Sequence, residues 1–300
     1  MWRVIVRSAA SWLLAAAWLA ARAGAQSPGP PPALPADLRL LSWNLQWFPG
    51  RSPTAPLDAQ DAHLREVAAV LRTVQPDILF LQEVKSEAAV AELLAAAGLR
   101  HSIHITSRFK DTNGLLSGQQ LAITSRFPAT EAWQEPWKSG WAGPPRGLVY
   151  ARLRLPGQPA SLHTYSVHLK SNLGADRFLN AAKREDATEQ LAAHLQSLTH
   201  PDSPPPAIVI AGDFNTSFEQ TTVPSEHTLT RFLNLGFFWP FEGVPPADRI
   251  TLPATNGLPD VCFDHFFLKG LGRPVARVIT QSQASDHRPI VVEIPRNPAR

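Results

Sequence analysis

Short apolar runs, each the length of a buried β-strand, recur along this chain of 300 residues and constrain its fold more than any other feature. The clearest runs are residues 38–43, 77–82 (DILFLQ) and 207–211 (AIVIA). We expect further strands near residues 102–106, 120–125, 147–155, 161–168, 261–268, 275–280 and 289–294. Such a number of short strands predicts a protein built mainly on β-sheet.

Helical periodicity is confined to a few segments. Residues 62–74 carry apolar side chains at the helical period, and a longer helix is expected over about 176–198. Between them, Ser86 can cap a helix that Gly98 ends. Many strands with few helices between them predict an α/β (α+β) fold with mixed pairing, in two sheets with helices outside.

The N-terminus has the three-part pattern of a secretory signal peptide. Arg3 and Arg7 precede an apolar run over residues 8–21, and Ala23 and Ala25 form a small-x-small cleavage pattern. The run is shorter than the roughly 20 residues that span a bilayer, although an uncleaved anchor is the alternative. We therefore expect residues 1–25 to be a signal peptide and the protein to be secreted or periplasmic.

The rest of the chain divides into a linker and one domain. Residues 26–37 (QSPGPPPALPAD) are Pro-rich and predict an extended linker. Residues 38–300 contain no second linker of comparable strength and are expected to form one domain. The only cysteine is Cys262, which excludes an intrachain disulfide and is expected to be a buried apolar residue.

Charge gives little guidance on the partner. Loss of residues 1–25 removes Arg3, Arg7 and Arg22, which leaves 25 Lys and Arg against 25 Asp and Glu. The balance does not support a strong nucleic-acid footprint for the whole chain, although a local basic patch is compatible with it. No feature of the sequence indicates a stable protein partner.

A group of polar residues lies where the apolar strands end. A single Asp or Asn in such a place is usually a turn former, but several together indicate a site at one edge of a sheet. All are carboxylate, amide or imidazole side chains: Asn44, Glu83, His168, Asp213, Asn215, Asp264, Asp286 and His287. The oxygen donors suit Mg²⁺ or Mn²⁺ and not structural zinc. The histidines suit proton transfer or charge stabilisation, and Asp264 could orient one of them.

Six segments in order, SWNLQWF, LFLQEVKS, SVHLKSN, IAGDFNTS, FDHFFL and SDHRPI, resemble the signatures of the endonuclease/exonuclease/phosphatase superfamily. That group includes pancreatic-type deoxyribonucleases, apurinic endonucleases, neutral sphingomyelinases and inositol-polyphosphate phosphatases. The resemblance runs from about residue 38 to residue 292. It implies a four-layer sandwich, with two mixed β-sheets face to face and helices on the outside.

The resemblance also implies roles for the polar residues. Glu83 would bind the metal, with Asn44 beside it and Asp286 nearby. Asp213 and Asn215 would orient the attacking water and bind the scissile phosphate. His287, oriented by Asp264, would act as general base or its electrostatic equivalent, and His168 would hydrogen-bond the phosphoryl oxygens.

One departure from the pattern concerns the number of metal ions. Some relatives have an acid two residues after the motif asparagine, where this chain has Gln46. A carboxylate there would strengthen a second metal site. We therefore expect one ion, Mg²⁺ or Mn²⁺.

Weaker signals surround this set. Arg146 and Lys170 are candidate substrate-binding cations, and Arg184 is expected to make a structural ion pair. His265 is expected to be structural. A loop that covers a sheet edge, stacks on bases or meets a membrane is expected to carry Trp133, Trp137 and Trp141.

The sequence therefore predicts a secreted metal-dependent phosphodiesterase, with a nuclease acting on nucleic acid as the first hypothesis. A sphingomyelinase-like enzyme or a small-phosphoester phosphatase on the same fold is the second, with a phospholipid or small phosphoester as substrate. A binding module with a dead site is the third. DNA and RNA, and internal or terminal cleavage, stay open.

Overall fold

Six strands form the first of two sheets in the computed structural model, which describes residues 37–158, 160–174, 176–198, 206–219, 223–255 and 259–295. They are β1 (Asp37–Phe48), β2 (Ile78–Val84), β3 (Ser102–Thr106), β4 (Gln120–Ser125), β10 (Ala276–Val278) and β11 (Ile290–Pro295). Their order is β10-β11-β1-β2-β4-β3. Only β1 and β2 run parallel in this sheet. The predicted signal peptide and all but the last residue of the predicted linker lie outside the described residues.

Five strands form the second sheet of the described chain. They are β5 (Ala129–Pro136), β6 (Gly147–Leu153), β7 (Leu162–His168), β8 (Ala207–Asp213) and β9 (Asp264–Lys269), paired in that order. The pair β7–β8 is parallel and the other pairs are antiparallel. Both sheets are therefore mixed, as predicted.

Helices cover the outer faces. The described helices are α1 (Leu57–Val74), α2 (Glu87–Ala97), α3 (Arg177–Ser197), the short α4 (Thr230–Asn234) and a 3-10 turn (Pro246–Arg249). Side chains of α1 and α2 share one buried cluster with Leu41, Trp43 and Leu79 of the first sheet. The α3 helix packs on the second sheet, where the Tyr165 hydroxyl lies 2.9 Å from His194 Nε2. The four-layer sandwich is confirmed.

Strand alternation divides the side chains between the helices and the facing sheet. In β1, Leu41 and Trp43 face the helices, so Ser42 and Asn44 face the second sheet. The inter-sheet layer is apolar at its centre, where Phe80 meets the edge of Phe266 with ring centroids 5.9 Å apart. Towards one end it becomes polar, and that end carries the site.

A buried glutamine joins the two sheets beneath that polar end. Gln82 Nε2 donates to Ser166 Oγ of the second sheet at 3.1 Å and lies 3.4 Å from Ser42 Oγ of the first. All three side chains are buried. A misaligned pair of sheets would leave these polar groups without partners, at about 1–3 kcal/mol per group. The contact therefore favours one alignment of the sheets.

The prediction that the tryptophan segment is a loop is wrong for Trp133. Trp133 lies in the edge strand β5 and stacks on Tyr150 with centroids 4.6 Å apart, and it is not in a loop. Trp137 is buried, whereas Trp141 is exposed beside Glu189. The strand was missed because an edge strand pairs on one side only, so its sequence (ATEAWQEP) stays largely polar.

The described residues of the chain contain no helix that combines the length and the apolar character needed to cross a bilayer.

We predict that His101 makes stability depend on pH. Chiefly because of burial, the pKa of His101 falls from 6.5 to about 4, and the neutral ring bridges Thr124 Oγ1 and Pro76 O at 2.9 Å each. The unfolded chain binds this proton below pH 6.5 and the folded chain only near pH 4. The contribution of His101 to the free energy of unfolding should therefore be fully present above pH 6.5, and as much as roughly 3 kcal/mol of it should be lost towards pH 4.

Urea unfolding at pH 7.5 and pH 4.5 measures this effect in the wild type and in His101→Gln, which keeps both hydrogen bonds without titrating. The fall in the free energy of unfolding should be smaller in His101→Gln than in the wild type. His227→Gln, at an exposed position, is the control. An equal fall in all three proteins would refute the assignment.

Candidate active site

Three polar side chains stand in one row across the second sheet. His168 ends β7, Asp213 ends β8 and Asp264 begins β9, and the register pairs His168 with Asp213 and Asp213 with Asp264. Paired residues of neighbouring strands point to the same face, and Asp213 contacts the first sheet. All three are buried. The row therefore lies between the sheets, at the end where the parallel strands have their carboxyl termini.

The first sheet adds Asn44 and Glu83 opposite this row. Asn44 Nδ2 donates to Asp213 Oδ2 at 3.0 Å and lies 3.3 Å from Glu83 Oε1. The other carboxylate oxygen of Glu83 accepts the Trp47 N–H at 3.0 Å. The site therefore depends on the docking of both sheets.

His287 reaches the row from the loop that precedes β11. Its Nδ1 lies 2.8 Å from Asp264 Oδ2, and its Nε2 lies 3.8 Å from Asp213 Oδ2. The backbone is fixed as well, because Trp43 Nε1 donates to the His287 carbonyl at 2.9 Å. The structure thus brings together the imidazole and the aspartate that the sequence analysis paired.

Backbone strain is concentrated at this site. Seven non-glycine residues of the described chain have positive φ, and five of them belong to the site or its border: Gln46, Trp47, Glu83, Arg146 and Asn215. Each such conformation costs about 1–3 kcal/mol and persists only where surrounding contacts hold it. At Glu83, φ of 60° interrupts strand alternation, and β2 also has irregular register beside it. That irregularity allows the carboxylate to reach Asn44.

Burial and charge set the protonation of the row. Burial raises the pKa of Asp213 to about 7, against the opposing charge of His287 and with the support of Asp264. Burial alone would lower the pKa of His287, but the Asp264 and Asp213 carboxylates outweigh it and raise the pKa to about 10. Asp213 and His287 lie close enough to titrate as a unit.

His168 differs from His287 in its charge. Burial, with the positive charges of Arg146 and His287, lowers the pKa of His168 well below 6.5. The ring is therefore neutral near pH 7. Its Nε2 lies 3.5 Å from Asp213 Oδ2 and 3.8 Å from Glu83 Oε1. A neutral imidazole there can donate a hydrogen bond without adding charge.

Two groups of residues in the described chain are candidates for a metal site. Asp213, Asp264 and His287 offer ligand atoms within 4.8 Å of one another and could hold a metal. The Nδ1–Asp264 hydrogen bond, however, already uses one ring nitrogen of His287. The predicted set is Glu83, Asn44 and Asp286. Glu83 presents carboxylate oxygens, which Mg²⁺ prefers, on a side chain that is 13% exposed. Asn44 is buried beside it, and its Oδ1 accepts the Gln46 N–H at 3.0 Å.

Asp286 is exposed, and its carboxylate accepts the His287 N–H at 3.0 Å within its own loop. Gln46, the residue that replaces an acid of some relatives, lies against the same loop, because Asp286 N donates to Gln46 Oε1 at 3.3 Å. The contacts of Asp286 therefore place it at the border of the site. Its role as a metal ligand stays a prediction.

The two predicted substrate cations hold the backbone near the row. Arg146 Nε donates to the His168 carbonyl at 2.9 Å and Nη2 to the Leu169 carbonyl at 2.6 Å. Lys170 Nζ donates to the carbonyls of Ser171 and Leu173 at 2.8 and 2.7 Å. Both cations thus lie next to the strand end that carries His168. A contact of either with substrate stays a prediction.

Asn215 and His265 complete the surroundings. Asn215 N donates to Asp213 Oδ1 at 2.8 Å. His265 Nε2 lies 3.0 Å from the Thr216 carbonyl, and its Nδ1 accepts from Trp239 Nε1 at 3.1 Å. Burial lowers the pKa of His265 to about 4, so the ring is neutral and serves structure. Its support of the segment after Asn215 has no sequence signal, because it depends on the register of β8 and β9.

Comparison with known proteins agrees with the geometry. A family profile described as the Endonuclease/Exonuclease/phosphatase family matches residues 41–287. A search of curated proteins found no significant match.

Solved structures share the fold. An endonuclease/exonuclease/phosphatase from Beutenbergia cavernae is 22% identical with a TM-score of 0.62, over 87% of this chain and 72% of that one. Truncated TDP2 from Caenorhabditis elegans is 18% identical with a TM-score of 0.60, over 86% of this chain and 97% of that one. The mannosyl-6-phosphatase Bt3783 from Bacteroides thetaiotaomicron is 17% identical with a TM-score of 0.63, over 86% of this chain and 99% of that one. At these identities the likeness establishes the fold alone.

We predict that Asp264→Asn lowers the pKa of His287 in metal-free protein. The variant keeps the shape of the side chain but removes the charge that contributes most to raising that pKa. NMR titration of ¹³C-labelled histidine measures it, with His287→Gln to assign the resonance. Asp286→Asn is the control and should lower the pKa less, because Asp286 is exposed. An unchanged His287 pKa in Asp264→Asn would contradict the assigned pairing.

Proposed function

The chain belongs to the endonuclease/exonuclease/phosphatase family, and from this premise we propose that it is a metal-dependent phosphodiesterase that cuts nucleic acid outside the cytoplasm. The observation that carries the proposal is the buried row of His168, Asp213 and Asp264, closed by Asn44 and His287. Buried carboxylates side by side are costly for a fold and are typical of a catalytic site.

The proposed chemistry is an attack of water on phosphorus. A new P–O bond forms to the water oxygen, the P–O bond to the leaving oxygen breaks, and the departing alkoxide takes up a proton from solvent. Asp213 Oδ2 accepts the proton of that water. His287 Nε2 lies 3.8 Å away, and because the raised pKa keeps this ring protonated near pH 7, His287 serves as the electrostatic equivalent of a base by stabilising the charge on Asp213. Asp264 holds the other ring nitrogen, so the imidazole keeps its orientation. Neutral His168 donates to a phosphoryl oxygen as charge develops there. Asn215 binds the same phosphate through its amide.

Glu83 and Asn44, with Asp286 beside them, would hold one divalent ion, Mg²⁺ or Mn²⁺. Bound there, the ion would offset the negative charge of the phosphate. Glu83 keeps the exposure that this role needs, since its side chain is 13% exposed while that of Asp213 is 2% exposed. This difference in exposure supports Glu83, rather than the group of Asp213, Asp264 and His287, as the metal ligand.

A cationic segment supports a polyanionic substrate. Lys170, Arg177 and Lys183 follow His168 within fifteen residues, at exposed or half-buried positions. The acid described among them is Asp176, whose carboxylate caps α3 by accepting the Leu179 N–H at 2.9 Å. Positive charge on the segment that follows His168 favours a chain of phosphates over a single one.

A small-phosphoester phosphatase is the second candidate. It is favoured by the fold likeness to a mannosyl-6-phosphatase. The proposed export rests on residues 1–25 as a cleaved signal peptide. N-terminal sequencing of protein recovered from the periplasm or medium tests export, and a start at Gln26 is expected.

The substrate is tested by assaying residues 26–300 with Mg²⁺, Mn²⁺ or EDTA on plasmid DNA, single-stranded RNA, sphingomyelin vesicles and a phosphomonoester. EDTA-sensitive cutting of nucleic acid, weakening steeply with salt, is the expected result. Activity on the lipid or the monoester alone would overturn the nucleic-acid substrate. Inactivity on every substrate would favour a dead-site binding module.

We predict that His287→Ala lowers turnover by at least about a hundredfold, because it removes the positive charge that stabilises the Asp213 carboxylate and the charge that develops during the attack. Initial rates under saturating Mg²⁺ measure it, and circular dichroism confirms folding. His227→Ala, at an exposed position on the described chain, is the matched control and should keep wild-type turnover. Turnover within threefold of wild type in His287→Ala would remove His287 from the chemistry.

We predict that Glu83→Gln raises the Mg²⁺ concentration needed for half-maximal activity by about tenfold or more, because a neutral amide replaces the charged ligand. The measurement is a metal titration of initial rate. Calorimetric Mn²⁺ binding checks the same point without turnover. Glu87→Gln, in the first turn of α2, is the control. Wild-type titrations in Glu83→Gln would exclude this residue from the metal site.

A further inference from the structure

Arg184 of α3 is a fully buried charged side chain that touches none of the proposed reacting groups. Its guanidinium donates to both oxygens of Glu226, from Nε to Oε1 and from Nη2 to Oε2, at 2.7 Å each. The Thr228 hydroxyl also donates to Oε1 at 2.7 Å. A bidentate pair of this kind fixes the plane and direction of the guanidinium. The pair therefore also fixes the direction in which the remaining nitrogen, Nη1, points.

Arg184 Nη1 points at the loop that follows β7. It donates to the Lys170 carbonyl at 2.9 Å and to Asn172 Oδ1 at 2.8 Å. Asn172 Nδ2 in turn donates to the Asn215 carbonyl at 3.1 Å. Hydrogen bonds therefore run without a break from the buried ion pair, through Asn172, to the backbone of Asn215.

Asn215 occupies a backbone conformation that needs such support. Its φ is 54°, in the left-handed region, where a non-glycine residue is strained. Its own Nδ2 donates to the Leu169 carbonyl at 3.2 Å, so the same loop holds its side chain. Because Asn215 N also bonds Asp213 Oδ1, a relaxation of this backbone would move Asp213 as well.

We propose that the Arg184–Glu226 pair is a positioning device for Asn215 and Asp213, acting through Asn172 and the loop after β7. The inference rests on the proposed function, in which those two residues meet the phosphate and the water. A buried ion pair is weak evidence of stabilisation, because apolar residues of similar volume are often as stable. An apolar pair, however, cannot donate to Lys170 O or to Asn172.

The test separates stability from positioning with the double variant Arg184→Met/Glu226→Leu. We expect its melting temperature to stay close to that of the wild type. Its kcat on bis(p-nitrophenyl) phosphate with Mn²⁺ should fall about tenfold to a hundredfold, with KM within about twofold, because reacting groups lose alignment. Asn172→Ala, which breaks the relay and leaves the ion pair intact, should lower kcat in the same way.

A second readout needs neither metal nor substrate. Hydrogen exchange of the amides of residues 213–217 should be at least about tenfold faster in both variants, while β6 keeps wild-type protection. The matched control is Arg126→Met/Asp77→Leu, which removes another ion pair at the opposite end of β2 and should leave this exchange and kcat unchanged.

The outcomes separate this inference from the proposed function. A folded double variant with wild-type kcat and wild-type exchange would overturn the positioning role. If the wild type hydrolyses no phosphoester, the proposed function fails, and the exchange data alone decide the positioning role. If the double variant does not fold, Asn172→Ala decides it by the same two readouts.

Discussion

Two carboxylates, Asp213 and Asp264, stand side by side on neighbouring strands and are buried between the sheets. Like charges directly opposite each other in a sheet are unfavourable, and burial increases their cost. The surrounding structure supplies what makes the pair tolerable. His287 brings a counter-charge, Asn44 brings an amide donor from the other sheet, and the backbone N–H of Asn215 completes the shell. The chemistry proposed for the site uses the same groups. The groups that offset the cost of burying the two carboxylates are therefore also the groups proposed to act in catalysis.

The strained backbone around the row follows the same logic. Glu83 and Asn215 each reach the site through a left-handed conformation that strand geometry does not supply. Such conformations last only where several hydrogen bonds agree. The contacts of Trp47 with Glu83 and of Asn172 with Asn215 are of that kind. These supporting residues therefore prevent the backbone of Glu83 and Asn215 from relaxing to a less strained conformation.

The sequence predicted the strands and the polar residues at their ends, because strand length and apolar periodicity are local properties. Its resemblance to a known family supplied the four-layer architecture and the pairing of Asp264 with His287. The edge strand β5 escaped detection, since one-sided pairing leaves its composition polar. The partner of Arg184 is Glu226, 42 residues away, and no local pattern connects them. The support that His265 gives to Thr216 depends on strand register in the same way.

A crystal structure of residues 26–300 soaked with Mn²⁺ and phosphate, with anomalous scattering to locate the metal, would distinguish the two candidate metal sites. We expect one Mn²⁺ ion coordinated by Glu83 and beside Asn44, with the phosphate facing His168 and Asn215. His287 should then still lie against Asp264. A Mn²⁺ ion bound instead between Asp213, Asp264 and His287 would contradict this assignment, because Asp213 would then be a ligand and could not accept the proton of the attacking water.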